Sequence, residues 1–247
     1  MRRKAGRNTL ITLYYVSSPN VHKVCIALEE MGLSYDLQPV DVSKNEHRDP
    51  AKVGGAKFGR LPILRDDDPA DGGEPIVTFE SGAILQYLAE KAGQYLPAEP
   101  RARQQVLQWL FWQMGGIGPI GGQVFHFRTF APVIAPDFDN SYATSRYEKM
   151  WEALLTLMNE QLAETPFLAG DYSIADMACH PWIDYLPPRS GLDAFPNVQR
   201  WLDDVSSRPA VKRAYARAFA VDTGYERNEK GASQFPAEGI FKHVIVT

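Results

Sequence analysis

Thr9–Gly32, TLITLYYVSSPNVHKVCIALEEMG, changes its hydrophobic period in mid-course, and that change constrains how the chain around it can fold. Leu10, Thr12 and Tyr14 alternate with Ile11, Leu13 and Tyr15, the two-residue period of a strand. After Ser17-Ser18-Pro19-Asn20, residues Val21, Val24, Cys25, Leu28 and Met31 recur at helical spacing. Ser18 suits an N-cap, Pro19 the first helical position and Gly32 the C-terminal stop. The stretch therefore predicts strand, tight turn and helix, with hydroxyls and an amide at the helix N-terminus. Such a terminus presents free N–H groups and partial positive charge, and it receives anions, a thiolate included. The residues alone fit equally a plain capping role for Ser18 and Asn20.

The next segments extend this unit. Ser34–Val42 reads as a strand, confined to a sheet edge by Pro39. Gly54, Gly55 and Gly59 punctuate a loop, and Leu61-Pro62-Ile63-Leu64 is a short strand opened by proline. The turn-rich Asp66–Pro75 leads to a strand at Ile76–Phe79, an antiparallel hairpin pattern. Ser81 is the expected N-cap of a helix with Ile84, Tyr87 and Leu88 on one face and Gly93 as its stop. The order is β-α-β then β-β-α, a first domain over residues 8–93.

Gln94–Pro100 reads as a linker, and beyond it the period is helical, giving a second domain over 101–219 and a tail over 220–247. Val106, Leu107, Leu110, Phe111 and Met114 share one helical face. Glycines in GGIGPIGG (115–122) are expected to interrupt it, and 123–140 to be an irregular excursion. Ser141–Glu164 is a long amphipathic helix. Ser173 and Asp176 form a capping-box pattern, with Tyr172 placed to staple onto Met177. Pro181 is expected to kink that helix. Pro196–Arg208 and Pro209–Phe219 are two more helices.

Composition excludes several classes of function. The 247 residues are 45% hydrophobic, enough for a real core. Net charge is −4 and no basic run exceeds Arg2-Arg3-Lys4, which argues against nucleic acid. The short apolar start alternates with Thr and Tyr and reads as a strand, not a signal peptide. Leu107–Ile120 is broken by Gln and Gly and cannot span a bilayer. Cys25 and Cys179 form no CxxC pair, which suits a reducing, cytoplasmic setting. Both read as packed thiols, and Tyr14 and Tyr15 as core aromatics. The five histidines lack ligand spacing, so no metal site is expected. Trp109, Phe111, Trp112, Phe125 and Phe127 read as core or as the wall of a cleft for an apolar co-substrate.

A small β-α-β-β-α unit, a proline linker and an all-helical domain resemble the glutathione transferases, whose fold joins an α/β thioredoxin-like N-terminal domain to an all-α C-terminal one. Leu61-Pro62 resembles that family's cis-proline, Phe79-Glu80-Ser81-Gly82-Ala83-Ile84 its glutamate-serine pair, and Ser173-Ile174-Ala175-Asp176 its capping motif. Residues 73–93, 107–119 and 167–182 are similar to the nu class, bacterial disulfide-bond oxidoreductases of the superfamily. The resemblance runs from about Leu10 to about Arg217. It implies bound glutathione, a homodimer, and sulfur contacts from Ser18 and Asn20. Ser18 stands for the class's usual threonine, while Ser17 holds the position of the catalytic serine in other classes. It also implies that Leu61, before Pro62, offers its backbone to the cysteinyl unit, that Arg60 meets the glycyl carboxylate, and that Glu80 and Ser81 take the γ-glutamyl end. Arg146 resembles an arginine pointing into the cleft. Val21 departs from the usual glycine and is expected to narrow the space for a second glutathione. The implied chemistry is thiol–disulfide exchange with a small disulfide. Two alternatives stay open: transfer of glutathione to electrophiles such as aryl ethers, and a regulatory glutathione-binding module without turnover.

Overall fold

The computed structural model describes residues 10–188 and 190–221, with the backbone of two short strands further on. The Arg2-Arg3-Lys4 run and most of the tail lie outside the described residues. Strands β1 (Ile11–Tyr15), β2 (Tyr35–Pro39), β3 (Ile63–Asp66) and β4 (Ile76–Phe79) form one sheet in the order β2-β1-β3-β4. β1 and β2 run parallel, joined by helix α1 (Pro19–Glu30), while β3 is antiparallel to both β1 and β4. The proline-bearing strand is an edge, as its missing N–H requires. Helix α2 (Ser81–Ala92) follows β4 and packs on α1.

The helical half is more continuous than its glycines and prolines suggest. Helix α3 (Pro100–Trp112) passes through a π-helical segment, Gln113–Ile117, into α4 (Gly118–Phe125). A second π-helical segment, His126–Phe130, leads to α5 (Ala131–Ile134). The expected glycine interruption and the irregular 123–140 are thus largely helix. The glycines serve close packing instead. A Cβ on Gly121 would lie 2.8 Å from the Trp182 ring and 3.2 Å from that of Trp151. Helix α6 (Ser141–Glu164) lies against α4, and α7 (Ile174–Tyr185) continues through Pro181. Helices α8 (Pro196–Ser207) and α9 (Pro209–Ala220) complete this half. Beyond them, β5 (Glu226–Arg227) pairs with β6 (Ser233–Gln234).

Helix α1 is the hinge of the packing. Residues Val21–Leu28 are all buried, because α1 packs against α2, α7 and α9. One hydrophobic core therefore runs from β1 through α1 into the helical half. A smaller cluster, including Tyr14, Val53 and Ile63, covers the other face of the sheet. Glu30 at the end of α1 accepts two hydrogen bonds from the Arg208 guanidinium, at 2.6 and 3.0 Å, and the same guanidinium stacks 3.8 Å from the Tyr172 ring. A bidentate, half-buried pair of this kind fixes an angle as well as adding energy.

Candidate active site

Where β1 runs into α1, Ser18 is the N-cap, in extended geometry, and its Oγ accepts the Val21 N–H at 3.4 Å. Ser17, one residue earlier, is only 7% exposed. The hydroxyl at the helix mouth is that of Ser18, although neither serine is among the residues that line the cleft between the two halves. Val21 is fully buried in the core and does not line the cleft, so the expected narrowing by its branched side chain does not occur. Its side chain falls on the helix face that meets the core.

A cleft of about 710 Å³ lies between the two halves. Asn20, Arg60, Leu61, Pro62, Glu80 and Ser81 all line it, although sixty residues separate the first from the last in the chain. The Leu61–Pro62 peptide is cis. Arg146 is exposed and outside this wall; its neighbour Tyr147 lines the cleft instead, one position round the face of α6.

Two details differ from the sequence reading. Glu80, not Ser81, holds the N-cap position of α2, with φ 70° and ψ 114°. That conformation is unfavourable for a residue with a Cβ and is kept only where its surroundings impose it. Ser81 is therefore the first helical residue, and its hydroxyl is engaged elsewhere. It accepts a hydrogen bond from Lys23 Nζ at 3.2 Å. Lys23 also donates to Gln113 Oε1 at 2.7 Å, and the Met114 sulfur lies 3.8 Å away. Met114 comes this close because residue 82 is glycine: a Cβ there would meet its side chain at 2.9 Å.

Lys23, Gln113, Met114 and Trp182 are among the cleft residues that sequence reasoning missed. For Lys23 a signal existed, one charge inside the otherwise apolar run VCIAL and its flank VH. Trp182 reaches across the halves, its indole N–H donating to Asn20 Oδ1 at 3.0 Å. With its oxygen so held, Asn20 keeps its amide N–H groups for a partner in the cleft.

The chain's own thiols are unsuited to sulfur chemistry here. Cys25 and Cys179 are buried, and burial pushes the Cys25 thiol up to about 12 and the Cys179 thiol higher still. Neither forms a useful thiolate near neutral pH.

The family model for the glutathione S-transferase N-terminal domain matches residues 17–91, and that for the C-terminal domain matches 125–209. The chain belongs to the glutathione transferase family. It is 43% identical over 215 residues to the disulfide-bond oxidoreductase YfcG of Escherichia coli K12, covering 86% of this chain and 98% of that protein. A glutathione transferase from Pseudomonas putida, solved with one glutathione disulfide per subunit, superposes with a TM-score of 0.78 at 38% identity, over 85% of this chain and 93% of that one. One from Pseudomonas fluorescens Pf-5, solved with two glutathiones bound, gives 0.79 at 36%, over 85% and 94%. An enzyme is thus the better reading than a module without turnover.

Proposed function

We propose that this protein is a glutathione-dependent disulfide-bond oxidoreductase of the nu class. The observation that carries the reading is the convergence on one cleft of Asn20, Arg60, the cis Leu61–Pro62 peptide, Glu80 and Ser81, beside the Ser18-capped helix. The donor set fits glutathione by its chemistry: a cation and a helix terminus for carboxylates, a carboxylate for an ammonium, and an amide and a hydroxyl for sulfur. When bound, glutathione supplies the thiol that attacks a disulfide. Ser18, Asn20 and the terminus of α1 hold negative charge at that sulfur and so favour the thiolate. Arg60, Leu61, Glu80 and Ser81 orient the tripeptide, and Trp182 orients Asn20.

The fully buried cysteines support a glutathione thiol, rather than a protein thiol, as the nucleophile. They also suit a cytoplasmic setting; no helix among the described residues is long and apolar enough to cross a membrane. We read the chain as two domains, 8–93 and 101–219, with a tail over 220–247. A homodimer is part of the same reading, supported by the exposed, stacked Phe58–Phe79 pair and by Phe111, 65% exposed on α3. Transfer to an apolar electrophile is the second reading, favoured by the Met114, Ile120, Tyr147 and Trp182 side of the cleft. Steady-state rates with glutathione and a small disulfide, set beside rates with a chlorinated aromatic, separate the two. Turnover of the disulfide is the expected result; turnover of the aromatic alone assigns the second reading.

A further inference from the structure

Lys23 is only 1% exposed, and among the described residues no ion pair includes it. An unpaired buried ammonium is costly, and folded chains keep one where something else completes it. Its Nζ touches only the Ser81 hydroxyl, the Gln113 carbonyl oxygen and the Met114 sulfur, all neutral. Gln113 is itself fully buried, and its Nε2 has no hydrogen-bond partner. A cation without an anion and an amide without an acceptor therefore stand in one wall of the cleft, next to the start of α2. What both lack is a carboxylate.

We propose that Lys23, held by Gln113 across the domain boundary, is the counter-ion for the α-carboxylate of the γ-glutamyl group and takes up a proton when that carboxylate arrives. This rests on the glutathione reading of the cleft. The ligand's ammonium then falls to Glu80, and its α-carboxylate to Ser81 and Lys23 together.

The charges around Lys23 set the direction of the effect. Lys23 faces Glu80 and Ser81 from the start of α2, Gln113 and Met114 from the segment after α3, and the Cys179 thiol from α7. Burial lowers its proton affinity to about 7, and Cys179 and Glu80 only partly oppose this. Cys179, pushed far up by burial, stays a neutral thiol, which leaves Glu80 as the one negative charge among these groups. The free protein thus holds Lys23 partly neutral at pH 7, and a bound carboxylate restores the charged form. Proton uptake belongs to the window from about pH 7 upward and vanishes near pH 5, where Lys23 is already charged. No histidine lines the cleft to mimic the effect.

The test is titration calorimetry with S-methylglutathione, whose blocked thiol cannot release a proton. Binding is measured at pH 5 and pH 7 in pairs of buffers with different ionisation enthalpies, for the wild type and for Lys23→Met and Lys23→Gln. The expected result is an uptake of roughly half a proton per site at pH 7 and none at pH 5 in the wild type. Both variants lose the uptake and bind at least tenfold more weakly. Binding by the wild type without uptake at pH 7 overturns the proposal while leaving the glutathione reading intact. The same holds if the uptake persists in either folded variant. Failure of the wild type to bind S-methylglutathione at all removes the glutathione reading itself. The wild-type comparison of the two pH values stands even if neither variant folds.

Discussion

Two neighbouring serines differ by one position and have different surroundings. Ser17 is packed away, while Ser18 stands half-exposed at the mouth of α1 beside Asn20. A hydrogen bond to a charged sulfur is worth about 1.5–3 kcal/mol. Ser18→Ala is therefore expected to lower kcat/KM roughly tenfold to a hundredfold, and Ser17→Ala much less; the reverse order in steady-state kinetics would assign the sulfur contact to Ser17. Ser18→Thr, which keeps the hydroxyl, is the matching control for folding. The thiols make the complementary case. With both raised far above neutrality, a Cys25→Ala, Cys179→Ala double variant is expected to keep most of its glutathione-dependent disulfide reductase rate. It loses some stability, on the order of 1–2 kcal/mol, from the small cavities left behind. A variant folded by circular dichroism yet inactive would reassign the nucleophile to the protein.

At the scale of elements, α7 illustrates a motif legible in sequence whose full weight only packing reveals. Ser173 and Asp176 do form the capping box. Asp176 Oδ2 accepts from the Ser173 N–H and hydroxyl at 3.0 and 3.2 Å. Its Oδ1 also accepts the Leu168 N–H at 3.0 Å and the Trp201 indole N–H at 2.8 Å, ties to a loop and to α8 that sequence spacing does not contain. Asp176→Ala strands several buried donors, and a loss of about 3 kcal/mol or more is expected, read as a lower urea midpoint. A loss below about 1 kcal/mol would reduce the residue to an ordinary cap. Tyr172, expected as a local staple onto Met177, contacts Tyr95, Phe167 and Arg208. The glycines of α4 mislead sequence reading in the opposite direction. Glycine is a breaker by propensity, but at Gly121 the approach of Trp182 and Trp151 leaves no room for a Cβ, and tertiary packing outweighs a cost of about 1 kcal/mol.

Across the whole molecule, the site belongs to both halves at once. Asn20 comes from α1, and the group that orients it, Trp182, from α7. Trp182→Phe keeps most of the ring packing and removes the indole N–H. The expected outcome is a several-fold fall in kcat/KM with a stability change of about 1 kcal/mol, checked by kinetics alongside thermal unfolding. An unchanged rate would show that Asn20 needs no such support. The Arg208–Glu30 pair and the continuous core hold the same relation between halves from the far side of α1.

By itself the sequence determined the element types of the first half, the edge position of β2 and the helix mouth at Ser18, which follow from period, capping and backbone restriction acting within a few residues. The cis-proline site and the glutamate-serine pair were legible only through the resemblance to a family. The spacing of Val21, Val24, Cys25 and Leu28 already gave the core face of α1; tertiary packing buried the whole run Val21–Leu28 and kept Val21 out of the cleft. It set Tyr147 rather than Arg146 at the wall, made Glu80 the strained cap, and closed Lys23 against Gln113, ninety residues away. Those outcomes depend on how helices approach one another, and a local pattern holds no information on the distance between residues that meet only when two domains share a core.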